Sequence, residues 1–116
     1  MSTLNERIAA VKGWRITAHE GEYNKSIGRF RPTGRIHCNA DDGRGAHAHN
    51  WSGSIADAWE LVEELAAKNY EPRIDYCNDG SWLVGLVVDD EELPEVADTA
   101  PEAISAAYLA AMEGQP

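Results

Sequence analysis

The chain has 116 residues, 43% of them hydrophobic, and sets 20 Asp/Glu against 10 Lys/Arg for a formal net charge of −10. That size suits a single domain, residues 1–116, with its own core, and the acidity argues against direct binding of nucleic acid. No apolar run approaches the roughly 20 residues of a membrane span, and the N-terminus lacks the basic-then-apolar pattern of a secretion signal.

Two cysteines in dissimilar contexts, Cys38 and Cys77, offer no disulfide framework, so free thiols and a reducing cytoplasm are expected. Charge is unevenly spread. Residues 1–51 hold eight Lys/Arg against five Asp/Glu, a net of +3, whereas residues 52–116 hold two against fifteen, a net of −13. A solvated acidic surface is the ordinary reading of such a half, and a surface offered to a basic partner is the sharper one.

Thr3-Leu4-Asn5-Glu6 fits a capping box, and Leu4, Ile8 and Val11 follow at helical spacing until Gly13. This predicts a helix over 3–12. Trp14 to Ala18 alternates apolar with polar and predicts a short strand, 14–18. Residues 27–38 read as a hairpin of strands 27–31 and 34–38, with Arg31-Pro32-Thr33-Gly34 as its turn. Between His37 and Asn50 the chain is rich in Gly, Asn and Asp, which is loop chemistry.

The clearest helical period runs through 54–69. Ile55, Ala58, Trp59, Val62, Leu65, Ala66 and Asn69 fall on one face, while Asp57, Glu60, Glu63, Glu64 and Lys68 point away. Ser54 with Asp57 makes a capping pair. Beyond it, Arg73 to Cys77 alternates within a strand over 72–77, Asn78-Asp79-Gly80-Ser81 is a turn, and the apolar run Trp82 to Val88 predicts a strand, 81–88. Because that run is apolar at both alternating sets, helices are expected to cover both faces of its sheet. Asp89 to Asp98, acidic and holding Pro94, reads as a surface loop without the ordered spacing of a calcium loop. Thr99-Ala100-Pro101-Glu102 fits a second capping box before a helix over 100–112. The fold expected is α+β, a three-layer α-β-α sandwich around a small antiparallel sheet.

Two groups of residues carry candidate chemistry. Arg29, Arg31 and Arg35 would gather on the predicted hairpin, where planar guanidinium groups suit phosphates, and Trp51, with Trp14 and Trp82, could stack on a base. Arginines that simply stay in water are the commoner case. His37, Cys38, His47 and His49 have the ligand types of a zinc site, with His19 or Cys77 as stand-ins, but lack a paired Cys-x-x-Cys element. A flexible polar loop without cofactor is the plainer account. Nothing places an oxyanion-stabilising backbone beside Cys38 to make it a nucleophile.

Ser54-Ile55-Ala56-Asp57-Ala58-Trp59-Glu60-Leu61-Val62-Glu63-Glu64-Leu65, the turn at Asp79-Gly80, and Ala97-Asp98-Thr99-Ala100-Pro101-Glu102-Ala103-Ile104 together resemble the phage ABA sandwich domain family, as does the first helix ending at Gly13-Trp14. The resemblance covers the first 14 residues and about 52–112; the arginine and histidine stretch departs from it. It implies an α-β-α layered fold, a bacteriophage or prophage origin and action in the host cytoplasm, and brings no catalytic residues with it. Three functions stay open. One is an accessory protein that sequesters a nucleotide signal or a host factor to counter host defence. Another is an acidic decoy of a DNA-binding host protein, and the third a small metal-dependent enzyme using the histidine loop. Binding is favoured over catalysis, because no acid, base and nucleophile stand together. Exposed edges of so short a sheet would allow a homodimer.

Overall fold

A computed structural model describes residues 3–40, 42–43, 47–88 and 91–113, with the backbone alone for 22, 30–34, 47, 88 and 91–93. In chain order the elements are α1 (Leu4–Lys12), β1 (Arg15–Asn24), β2 (Arg29–Asn39), β3 (His47–His49), α2 (Ile55–Ala67), β4 (Glu71–Tyr76), β5 (Trp82–Val88), β6 (Glu91–Ala97) and α3 (Ala100–Glu113). The fold is an α+β sandwich, with three helices and two antiparallel three-stranded sheets ordered β1-β2-β3 and β4-β5-β6. One core unites them. Ile8 of α1, Ile36 and Cys38 of β2, Leu61 and Leu65 of α2, Val84 and Leu86 of β5, and Ile104 and Tyr108 of α3 are buried in a common cluster with Trp51.

Helix ends follow the capping residues. Thr3 and Glu6 make the reciprocal capping box, and Gly13 closes α1 at a positive φ of 74° that a side chain would resist. Asn69 takes the left-handed conformation after α2, at φ 70°. At the start of α2, Ser54 Oγ accepts from the Asp57 amide at 3.3 Å. The Asp57 carboxylate instead accepts the Asn50 amide at 2.8 Å, tying the helix to the loop before it.

Several expected elements change. The stretch 27–38 is no hairpin: β2 runs unbroken from Arg29 to Asn39 and pairs with β1. The reversal comes earlier, where the Asn24 side chain accepts the Ser26 amide and Gly28 takes φ 63°. Pro32 is absorbed opposite Gly21, beside an irregularity in register that relieves the ladder of its missing N–H. The acidic stretch read as a loop contains β6. Proline and charge there mark an edge strand protected from further pairing, and Pro72 sits likewise on the opposite edge, β4.

Helix α2 is rotated from the expected orientation. Ala58, Leu61, Val62 and Leu65 are buried, while Ile55 and Trp59 are exposed and Glu64 is drawn to the edge of the core. Cover on β5 is also one-sided. Val84 and Leu86 enter the core, and Ile74, Trp82 and Ala97 pack against it from the same face by register. Leu83 and Val87 lie on the other face, half-buried, beside the exposed Val96.

Candidate functional site

The predicted ligand residues divide between surface and core. Arg29 stands exposed on β2 opposite Asn24. Arg35 Nε lies 3.4 Å from Glu20 Oε2, and Glu20 Oε1 lies 3.1 Å from His37 Nε2, so one carboxylate serves both. The backbone of Arg31 pairs with Glu22, and its side chain lies outside the described residues. Trp51 is 0% exposed. Its ring is a wall of the core, with no open face for a base beside the arginines.

The histidines are likewise separated. Adjacent strand positions face opposite ways, so His37 meets Glu20 outside while Cys38 is buried inside. His49 turns inward by register with Ile36 and stacks on Trp51, ring centroids 4.6 Å apart at 13°. His47 pairs with Cys38 through the backbone, and its side chain lies outside the described residues. Among the described residues no three His, Cys, Asp or Glu side chains are grouped to hold a metal ion. Burial pushes the Cys38 thiol up from its ordinary pKa, against the opposing pull of Lys12, which disfavours a reactive thiolate.

A different cluster has the marks of a site. Gly13 ends α1 with a left-handed residue, and the Trp14 amide donates to the Ala9 carbonyl at 2.9 Å, which folds the chain back beside Lys12. The Lys12 ammonium consequently sits 5.1 Å from the Trp14 ring, 5.9 Å from Trp51 and 5.4 Å from Tyr108, each within cation–π range. Across from it, α2 supplies Glu64, whose Oε1 is 3.2 Å from Lys12 Nζ; the lysine side chain keeps only 12% of its exposure. Burial first, then a hydrogen bond and the charge of Glu64, pushes the Tyr108 phenol well above its usual range. The phenol therefore keeps its proton.

These residues wall an open cleft of about 300 Å³ between the three helices, lined by Val11, Lys12, Trp14, Glu64, Lys68, Tyr108 and Met112. Apolar and aromatic side chains contribute to its walls, but most of its exposed surface is polar, and its charges are two ammonium groups against one carboxylate. Behind Lys12, the buried Trp51 Nε1 has no hydrogen-bond acceptor among the described residues. Sequence reasoning missed the pairing because Lys12 and Glu64 are 52 positions apart. The only local sign was a lysine in the last turn of an amphipathic helix, followed at once by glycine and tryptophan.

The phage ABA sandwich domain matches residues 9–109. The chain belongs to the phage ABA sandwich domain family. The matched range spans the stretch with the arginines and histidines. Lys12, Trp14, Glu64 and Tyr108 all fall within those bounds. No curated protein and no solved structure matches the chain. Among the described residues no helix is long and apolar enough to cross a membrane.

Proposed function

We propose that this phage-family protein acts by binding, and that the Lys12 cleft takes a small anionic molecule with a flat ring, of the mononucleotide class. The observation that carries the reading is a nearly buried ammonium, held among three aromatic rings and one carboxylate, at the wall of a cleft of about 300 Å³. That volume is at the small end of ligand sites. The half-buried Trp14 ring offers a stacking surface. Lys68, exposed at the C-cap of α2, and Lys12 supply positive charge for a phosphate, and Glu64 offers an acceptor for an exocyclic amine. With its one carboxylate paired to Lys12, the cleft suits a molecule that is held rather than transformed. Sequestering a host nucleotide signal in the host cytoplasm, and so blunting host defence, is the role that fits such a binder.

The test is a thermal-denaturation panel of mono-, di- and cyclic nucleotides. A ligand that binds only the folded chain, present at a hundred times its dissociation constant, adds about 2.7 kcal/mol. For a domain of this size each kcal/mol moves the midpoint by several degrees. One nucleotide class should raise the midpoint by that amount and be recovered unchanged by chromatography. A flat response across the panel at millimolar concentration would remove the nucleotide reading, and recovery of a converted product would replace binding with catalysis.

A further inference from the structure

The molecule is drawn out, 52 × 40 × 24 Å, with a radius of gyration of 15.3 Å against about 13 Å for a compact chain of this length. Part of it stands well clear of the core. Every residue from Tyr23 to Arg29, at the turn of the β1–β2 ribbon, is exposed. Two of them are large and apolar, Tyr23 at 62% and Ile27 at 65% exposure. Lys25 lies between them in sequence, and Arg29 and Arg31 follow on β2, on the ribbon face opposite Tyr23; against the single Glu22 the ribbon end is both basic and greasy.

The outer face of β4-β5-β6 has the complementary chemistry. Leu83 and Val87 on β5 lie half-buried to either side of Gly85, itself buried, and Val96 of β6 adjoins them at 57% exposure. Glu71 and Asp75 of β4 share that face by register and are exposed; Arg73 between them is 3.7 Å from Glu71. The half of the chain that builds this face has a net charge of −13, and the half that builds the ribbon +3.

We infer that the ribbon end of one protomer docks on the outer face of β4-β5-β6 of a second copy of the chain, and that the contact is returned. Charge complementarity chooses the occupant. Ribbon and face belong to the same molecule, so a twofold pair satisfies both contacts at once. Ile27 and Tyr23 cover the apolar strip of Leu83, Val87 and Val96, while Lys25 meets the exposed Asp75. Duplex DNA is the weaker occupant, because the net charge of −10 opposes it and Arg35 is already held by Glu20.

The experiment is sedimentation velocity of the full chain over a range of concentration and salt. A dimer is expected that weakens as salt rises. Ile27→Asp and Val96→Lys change side chains outside the core, so both variants should keep the wild-type circular dichroism and each should weaken dimerisation at least about tenfold. An equimolar mixture of the two should dimerise better than either alone, since the intact ribbon of one meets the intact face of the other. A chain that stays monomeric at every concentration overturns the inference, as does a dimer indifferent to Ile27→Asp. Should the monomeric chain bind labelled duplex DNA, and Ile27→Asp abolish it, the ribbon belongs to nucleic acid instead.

Discussion

The Lys12 ammonium and the arginines of β2 are both cations close to carboxylates and aromatic residues in the sequence, yet they end in opposite surroundings. Lys12 is confined by three rings and an ion pair. Arg29 and Arg35 stand on an exposed ribbon, where water competes for every contact. Clustering along the chain raised the arginines to notice, but confinement decides which cation has a fixed position, and only a fixed cation can present a shaped site. A charge held in place also costs more to remove. That difference can be measured.

The largest effect should come from the wall behind Lys12. Trp51→Ala empties the centre of the core, and urea denaturation should show a loss of about 3–5 kcal/mol. Next is Lys12→Met, which deletes the cation–π contacts and leaves Glu64 without its counter-ion. Because Glu64 keeps part of its exposure to water, the loss should be about 1–3 kcal/mol. Glu64→Gln in the same background should then cost less than it does in the wild type, which a double-mutant cycle reads directly.

Alkali gives a third, smaller effect with a definite sign. The pKa of the Tyr108 phenol is raised in the folded state, whereas in the unfolded chain it titrates at about 10. Its contribution is therefore whole below that pH and is lost as pH rises above it, when the unfolded chain sheds a proton that the folded one keeps. Tyr108→Phe should flatten this part of the stability profile; an unchanged slope would show that Tyr108 ionises freely. The smallest effect belongs to the ribbon. Arg29→Ala should change stability by no more than about 0.5 kcal/mol. A loss as large as that of Lys12→Met would erase the contrast between the two cations.

Much of the secondary structure was legible because local chemistry enforces it. Thr3 with Glu6, Ser54 and Thr99 all accept the amides expected of capping residues, and the three helices lie within a residue or two of their expected bounds. The sheets were harder. Pro32 followed by Gly34 has the form of a turn, but pairing with β1 overrode it, and the earlier turn at Asn24 to Gly28 contains an apolar Ile27 that disguised it. Acidic β6 looked like a loop because edge strands carry the charges and proline that loops carry. Helix α2 was misjudged by one face, since Trp59 is bulky enough to suggest burial and yet lies outside, while Glu64 turns toward Lys12. That rotation hid the cleft. Glu64 acquires its meaning only from α1 and α3, and no spacing within α2 could reveal it.

Comparing the two cationic regions by ligand titration tests the account most directly. The nucleotide that gives the largest thermal shift is titrated by calorimetry into the wild type, Lys68→Glu and Arg29→Glu, both substitutions being at exposed positions. Lys68→Glu should weaken binding at least tenfold, equivalent to about 1.4 kcal/mol, with Arg29→Glu within a factor of two or so of wild type. Binding that survives Lys68→Glu and fails with Arg29→Glu would place the ligand on the ribbon and contradict the cleft.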